Sequence, residues 1–356
     1  MKQIDAKKES IAIICLSHYW GGMELDALKL TKSFSLTYQT VLVCKDGSYL
    51  QKNAEAQGVS YRAVKFKTKF SFRLIYSLLF IFKESAVNKV IFLGTSEIKS
   101  IFFAKKSFNK KLHLVIRYGT TMGSSKKDII HRIFYSCVNA HVGISQHILE
   151  NVKKIIPISS SSLIAKVYAG TEFTVPIIPV KRNKTIINVS RVVDGKGHKD
   201  LIIATKDIDT DVYIFGNGES DYINALKSII PVQYADKYHF LGYIEPEKVK
   251  VELWKHGIFV FPSYGEGLGN ALVEALGAGL VCITYDNTVF REFLELGFHI
   301  HIVPNRDIEK LNEKIKYVVN NYDFELQNSM NNMALAQKTF SLKSEVEGYM
   351  SIFNSM

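Results

Sequence analysis

The chain has 356 residues, of which 47% are hydrophobic and 22% charged, as in a globular protein with more than one domain. No apolar run approaches the roughly 18 residues that a membrane-spanning helix needs, and four widely spaced cysteines argue against a disulfide framework. The net charge is +11, but residues 1–180 contain 26 basic and 11 acidic residues, against 19 and 23 in the remainder. We therefore expect a cytoplasmic protein whose N-terminal half either meets an anionic surface or simply carries a lysine-rich solvated face.

The first half alternates short apolar runs with helical stretches, the pattern of a parallel sheet with crossover helices. Strands are predicted at 11–16, 40–44, 59–62, 89–93, 112–116 and 140–143. Gly21 and Gly22 stand between the first strand and its helix, where the backbone can approach a ligand closely. The third glycine of a dinucleotide-binding fingerprint is missing, which weakens a dehydrogenase interpretation.

Residues 64–73 interleave lysines with phenylalanines before an apolar helix at 74–82. This stretch either leads into an ordinary helix with a solvent-exposed face or lies on an anionic membrane surface. No nucleic-acid-binding motif accompanies it, so nucleic acid is not an expected partner. Arg117 and Tyr118 directly follow the predicted strand at 112–116.

Two of the seven prolines fall in residues 175–184, which we interpret as an interdomain linker. Further strands are predicted at 185–189, 212–215, 240–244, 257–261 and 281–284, with helices at 307–320 and 344–353. After the strand at 185–189 come Arg191 and Lys196, two cations that can neutralise a diphosphate. The aspartates at 207, 209 and 211 are interpreted as a solvated turn, so no metal ligand is predicted.

Residues 262–279 follow a buried strand with a glycine-rich loop and then a helix from Asn270. The first amides of such a helix attract anions or sugar hydroxyls. Glu266 in the loop and Glu274 in the helix are separated by seven residues, and each carboxylate can accept hydrogen bonds from a diol. Acids that hold hydroxyls, beside cations that hold phosphates, indicate a nucleotide-sugar site.

This pattern resembles the signature loop of the family-four retaining glycosyltransferases, which have the GT-B fold, and the resemblance is strongest over 185–290. It implies that Glu266 contacts the donor sugar, that Glu274 contacts the ribose, and that Arg191 and Lys196 bind the diphosphate. It also places Gly267, Leu268, Gly269 and Asn270 near the donor, and Gly21 and Gly22 over its phosphates. Many members have a histidine where this chain has Arg117 and Tyr118, so these two are the acceptor-side candidates.

The resemblance implies two Rossmann-like parallel-sheet domains facing a cleft, at 1–178 on the acceptor side and 179–340 on the donor side, with a terminal helix at 341–356 that packs on the first domain. The expected activity is retaining, metal-independent transfer of a sugar to a glycan or lipid-linked glycan in cell-surface polysaccharide or lipopolysaccharide synthesis, without a cofactor. The expected place is the cytoplasm, or the inner face of the plasma membrane as a peripheral protein. A nucleotide-sugar epimerase or hydrolase and a non-catalytic binding module of the same fold are the alternatives.

Overall fold

The computed structural model describes residues 9–176 and 181–356. They form two compact units: one holds the chain up to Gly170 together with Leu342–Met356, and the other holds Thr171–Ser341. The boundary expected between 178 and 179 lies outside the described residues, as does the middle of the expected linker. The C-terminal segment belongs to the first unit, as the fold prediction requires.

Within the described part of the first unit, seven strands form one parallel sheet in the order β3-β2-β1-β4-β5-β6-β7. The strands are β1 (Ser10–Cys15), β2 (Gln39–Lys45), β3 (Tyr61–Val64), β4 (Lys89–Leu93), β5 (His113–Tyr118), β6 (Ala140–Gly143) and β7 (Leu163–Lys166). The helices between them are α1 (Gly22–Ser35), α2 (Tyr49–Ala56), α3 (Phe72–Glu84), α4 (Ile98–Ser107), α5 (Ile129–Tyr135) and α6 (Gln146–Ile155).

The second unit repeats this architecture with six parallel strands among its described residues, in the order β10-β9-β8-β11-β12-β13. The strands are β8 (Asn183–Val189), β9 (Val212–Phe215), β10 (Tyr238–Gly242), β11 (His256–Phe261), β12 (Val281–Asp286) and β13 (His301–Pro304). The helices are α7 (His198–Thr205), α8 (Ser220–Ser228), α9 (Pro246–Leu253), α10 (Asn270–Gly277), α11 (Phe290–Glu295), α12 (Ile308–Asn320), α13 (Tyr322–Ser329) and α14 (Asn331–Phe340), with a 3₁₀ turn at Val232–Lys237.

The predicted strands with continuous apolar runs recur within a residue or two of their expected bounds. The predicted fold class, two Rossmann-like parallel sheets, is confirmed. Strand β7 was missed because three of its four residues are exposed at the sheet edge, so its sequence has no buried run. None of the described helices is both long and apolar enough to cross a membrane.

The last helix, α15 (Leu342–Asn354), supplies part of the core of the first unit. Tyr349 and Phe353 are buried in the same cluster as β1 and α1. The ring of Tyr349 lies 6.4 Å from that of Phe34, measured between centroids. Burial of these large apolar side chains stabilises the packing of the C-terminal helix against β1 and α1.

A buried charge cluster also joins α15 to the rest of the first unit. Arg117, at the end of β5, donates to Asp26 of α1 at 2.6 Å, and its Nε lies 3.7 Å from a carboxylate oxygen of Glu345. The Arg117 side chain is 1% exposed and that of Glu345 is 3% exposed. The other Glu345 oxygen accepts from the backbone amide of Gly170 at 2.8 Å. Two carboxylates and one guanidinium are thus desolvated together.

We expect Arg117→Leu to lower the free energy of unfolding by about 3–5 kcal/mol, because two buried carboxylates lose their cation. Urea denaturation measures the loss. The matched control is Arg62→Leu, since the guanidinium of Arg62 pairs with Glu84 at 46% and 44% side-chain exposure and such a pair contributes about 0–1 kcal/mol. Equal losses in the two variants would contradict the role of the buried cluster.

The loss in Arg117→Leu should also depend on pH. Burial raises the pKa of Glu345 to about 7, so the folded state favours the protonated acid, and its stabilising effect is lost as pH rises through 7. Without the guanidinium this effect increases. The variant should therefore be less destabilised at about pH 5 than at about pH 8.

Candidate functional site

The strand order of the second unit brings two predicted loops to one point. Strand β8 lies beside β9 on one side and β11 on the other, so the chain reverses direction across the sheet between β8 and β11. In open parallel sheets, ligands bind at the carboxyl ends of the strands at this reversal. The loop with Arg191 and Lys196 follows β8, and the loop with Glu266 follows β11.

The two loops are in direct contact through their backbones. The amide of Tyr264 donates to the carbonyl of Gly195 at 2.8 Å. Gly197 has a φ of +72°, and a Cβ built there would lie 1.9 Å from the carbonyl oxygen of Pro262. Only glycine satisfies both conditions, the left-handed backbone and the close approach. The glycine at 197 therefore allows the β8 loop to lie against the β11 loop.

Side chains connect the same two loops by an ion pair. The Nζ of Lys196 lies 2.5 Å from Oε1 of Glu266, and the two side chains are 20% and 14% exposed. The lysine ammonium also lies 5.9 Å from the ring centre of Phe261, the last residue of β11. The backbone amide of Glu266 donates to Thr288 at 3.0 Å, which positions the loop. The pair is therefore partly shielded from solvent.

Helix α10 begins directly after this loop, at Asn270. Its N-cap, Gly269, has a φ of +82° and gives no side-chain cap. Leu268 is buried, Asn270 is exposed, and Gly267 is half-buried. The first amides of a helix without a side-chain cap, at the positive end of its dipole, suit a phosphate or hydroxyl oxygen. Gly267, Leu268, Gly269 and Asn270 are the residues that the sequence predicts to lie near a donor.

The other two predicted donor residues lie on the same segments. Arg191 is exposed in the loop after β8, and Glu274 is half-buried in the second turn of α10. Glu274 borders a narrow cleft together with Phe173, Lys250 and Trp254. The structure thus brings Lys196 and Glu266 into contact. It places Arg191 in the same loop as Lys196, and Glu274 on the helix that follows the loop of Glu266.

A third loop, after β9, closes on the β8 loop and was not among the predicted site residues. A Cβ on Gly216 would lie 1.7 Å from the carbonyl oxygen of Ser190, and one on Gly218 would lie 2.2 Å from that of Val192. The amide of Val192 donates to the carbonyl of Asn217 at 2.7 Å. The glycines at 216 and 218 are the sequence signal that could have identified this loop, because close backbone approach is a usual reason for glycine after a strand.

Hydrogen bonds to buried polar side chains position the two site loops. Asp200, at the start of α7, accepts from the hydroxyls of Tyr264 at 3.1 Å and Tyr285 at 2.8 Å. Burial, together with the negative charge of Asp200, raises the pKa of Tyr264 to about 12, so the phenol stays protonated and donates. The guanidinium of Arg306 lies 4.1 Å from the Tyr264 ring centre, adding a cation beside the loop. No sequence pattern links these residues.

His198 is a second support of this kind. It is fully buried at the start of α7, and its Nε2 lies 3.2 Å from the hydroxyl of Ser190. Burial lowers the pKa of His198 to about 4, so the imidazole is neutral. Ser190 donates to Asn188, whose amide donates to the carbonyl of Val260 in β11. The chain of hydrogen bonds holds the carboxyl ends of β8 and β11 together.

The two acceptor-side candidates lie in the first unit, and the structure corrects the expectation for both. Arg117 and Tyr118 are buried, Arg117 in the charge cluster and Tyr118 with its hydroxyl 2.8 Å from Nδ1 of His141. Neither offers an exposed group to an acceptor, because the side chains at the end of β5 face the interior. Gly21 and Gly22 are exposed at the start of α1, and a Cβ on Gly22 would meet no atom within 4 Å.

Residues 172–337 match the family model described as glycosyl transferases group 1. The match spans nearly the whole of the second unit. No curated protein matches the chain by sequence.

Solved structures match both units with the GT-B fold. HepE from Anabaena, in complex with UDP and glucose, is 15% identical with a TM-score of 0.80, over 98% of this chain and 100% of that chain. A glycosyltransferase from Rickettsia africae is 18% identical with a TM-score of 0.84, over 98% of each chain. The lipopolysaccharide outer core galactosyltransferase WaaB is 18% identical with a TM-score of 0.71, over 97% of this chain and 99% of that chain. At these identities the similarity establishes the fold.

We expect Gly197→Ala to be clearly more damaging than Gly195→Ala. Both glycines have a positive φ, +72° and +87°, but a Cβ at 195 would meet nothing within 4 Å. Gly195→Ala should cost only the backbone strain, about 1–2 kcal/mol, whereas Gly197→Ala adds overpacking of about 1–3 kcal/mol. Urea denaturation of both variants measures the difference. Equal stability would show that the loops do not depend on this close approach.

Proposed function

We propose that the protein is a retaining glycosyltransferase that moves a sugar from a nucleotide-diphosphate donor to a glycan or lipid-linked glycan. The observation that carries the proposal is the Lys196–Glu266 ion pair, which joins two loops at the sheet reversal of a glycosyl transferases group 1 domain. A cation for phosphate and a carboxylate for sugar hydroxyls lie side by side there. These are the two chemistries that a nucleotide-sugar requires.

The cations of the β8 loop would stabilise the leaving nucleoside diphosphate. In the proposal Lys196 and Arg191 contact the diphosphate, and the first amides of α10 add the positive end of the helix dipole. Fixed positive groups in a sheltered site stabilise the charge that develops as the glycosidic bond breaks. These groups perform the task that a metal ion performs in other transferases, and on this basis we propose metal-independent transfer.

The carboxylates would hold the hydroxyls of the donor. Glu266 forms an ion pair with Lys196 at 2.5 Å. A diphosphate would compete for the lysine and so release Glu266 to accept hydrogen bonds from the sugar. Glu274, in the second turn of α10, would accept hydrogen bonds from the ribose, as the family resemblance implies. Retention follows in this scheme if the acceptor attacks the face from which the diphosphate leaves.

The first experiment tests donor binding and acceptor dependence. Thermal-shift assays with UDP-, GDP-, ADP- and CMP-sugars should show a rise in melting temperature with one donor class, since a ligand that binds only the folded state stabilises it. Release of the nucleotide should then require a glycan acceptor. Full nucleotide release from donor alone would favour the hydrolase or epimerase alternative. Binding of a donor without any turnover would favour a non-catalytic module.

The glutamate and the arginine should have separable roles. Glu266→Gln removes a negative charge beside the diphosphate, so UDP or GDP affinity should hold or rise while turnover falls about tenfold to a hundredfold, the value of one charged hydrogen bond. Arg191→Ala should instead weaken UDP or GDP binding by a similar factor. Calorimetric titration and steady-state kinetics measure the two effects.

Glu252→Gln is the matched control, because Glu252 forms an ion pair with Lys255 at 2.7 Å in the same unit, away from the loops. It should change neither quantity. If Glu266→Gln weakened UDP binding as much as Arg191→Ala and left turnover intact, the assignment of the two side chains would be refuted.

The acceptor is proposed to be membrane-linked, and an exposed apolar surface on the first unit supports this. Phe72, Tyr76 and Phe80 lie exposed along α3, with Phe72 78% exposed, and Ile129 on α5 is 76% exposed. Ring contacts continue the surface from Phe70 to Phe103 at 5.7 Å and from Phe103 to Phe134 at 6.1 Å, between centroids. Large apolar patches of this kind mark interaction sites.

Basic side chains border this surface, which we name the aromatic surface of α3–α5. Lys65, Lys67, Lys69 and Arg73 are exposed at its edge, and the ammonium of Lys99 lies 5.4 Å from the ring centre of Phe134. Interfacial aromatics with flanking cations suit the anionic inner leaflet of a plasma membrane. We therefore propose peripheral attachment there, with the acceptor drawn from cell-surface polysaccharide or lipopolysaccharide synthesis.

Binding to liposomes should require anionic lipid and weaken with salt, because surface lysines contribute about 1 kcal/mol each and are screened within about 10 Å at 0.1 M salt. The triple variant Lys65→Gln, Lys67→Gln, Lys69→Gln should release the protein from liposomes and keep donor binding. A control with Lys206, Lys227 and Lys248 replaced by glutamine removes the same charge from the second unit and should still sediment. Equal sedimentation of the two triple variants would exclude this surface.

A further inference from the structure

Three side chains of the metal-binding type converge at the edge of the second sheet, in a place that the donor site does not use. His299 precedes β13, His301 begins it, and Glu325 lies on α13. The Nε2 atoms of both histidines face the same carboxylate oxygen of Glu325, at 2.8 Å and 2.9 Å. One potential ligand atom from each residue lies within 4.8 Å of the other two. We propose that these residues form a binding site for a divalent transition metal of the zinc class.

The distances are close to those of a metal-bound set. With Zn–N and Zn–O bonds of about 2.0–2.2 Å, tetrahedral ligands lie about 3.3 Å apart. The two nitrogen–oxygen distances of 2.8 Å and 2.9 Å need to open by less than about half an ångström, which side-chain rotation can supply. Two histidines with one carboxylate form a usual ligand set for zinc with a position left for water.

The surroundings hold the ligands in place while leaving an entrance. Glu325 is 3% exposed and His301 is 11% exposed, but the His299 side chain is 38% exposed and opens the site to solvent. The backbone of His299 is held on both sides by the buried amide of Asn332, with two hydrogen bonds of 2.8 Å. Tyr317 also forms a hydrogen bond with Glu325 and is a third partner for the carboxylate. Such outer contacts orient metal ligands.

The proposed metal ion would stabilise the edge of the sheet and would take no part in sugar transfer. Asn305, after the carboxyl end of β13, accepts from Asn287, which in turn donates to Ser263 of the signature loop. His301 precedes Asn305 by four residues of extended chain, a distance of about 13 Å. A bound ion would tie β13 to α13, and this proposal stands independently of the proposed transferase activity.

The test uses the full chain, freed of metal by a chelator and titrated with Co²⁺ as a spectroscopic substitute for Zn²⁺. We expect one equivalent of Co²⁺ with the strong visible absorption of a four- or five-coordinate ion, its displacement by Zn²⁺, and a higher melting temperature with Zn²⁺. His301→Gln and Glu325→Gln should each weaken binding by more than tenfold, since loss even of an outer-shell partner costs about 10–100-fold.

His239→Gln is the matched control, because Nε2 of His239 faces one carboxylate, Asp211, at 3.8 Å without a third ligand. It should bind Co²⁺ as the unaltered protein does. If Glu325→Gln fails to fold, the half-exposed His299→Gln replaces it and should weaken binding likewise. Weak absorption that is the same in all variants would identify adventitious surface binding and overturn the proposal, as would unchanged affinity in His301→Gln.

Discussion

The contact between the loop after β8 and the loop after β11 is the constraint on which the proposed donor site depends. The sheet order places these strands side by side at the reversal of the chain, so their carboxyl ends meet. Gly197 then permits a backbone approach to Pro262 that any side chain would block. Once the loops lie together, Lys196 and Glu266 pair across them. Each step requires the preceding one, and the ion pair is their result.

Buried polar groups give this contact its rigidity. Asp200 receives hydrogen bonds from two tyrosines, one in the signature loop and one in β12. His198, Ser190 and Asn188 form a second chain between β8 and β11. Unpaired polar groups in such places would destabilise the fold, whereas paired ones favour a single arrangement. The proposed donor site, which would hold a diphosphate and a sugar in fixed geometry, would benefit from this support.

The first unit uses charge differently. Its interior cluster of Asp26, Arg117 and Glu345 is desolvated and internally compensated, so it contributes to the attachment of α15. Its excess lysines lie on the surface, several of them beside the exposed rings of α3 and α4. Burial thus decides the role of each cation. Buried Arg117 pairs with carboxylates inside the first unit, whereas the exposed lysines lie on its surface.

The sequence alone determined the fold class and located the segments of the proposed donor site, because both depend on local patterns. Continuous apolar runs specify buried parallel strands, and Gly-rich turns with Glu266, Glu274, Arg191 and Lys196 at set spacings mark the loops. The tertiary structure alone decided which side chains meet. It placed Arg117 and Tyr118 inside the first unit and added Asp200, His198 and the glycines at 216 and 218 to the proposed donor site. It also brought His299, His301 and Glu325 together. These groupings join residues far apart in the chain, and their contacts arise from strand order and packing, which no local pattern records.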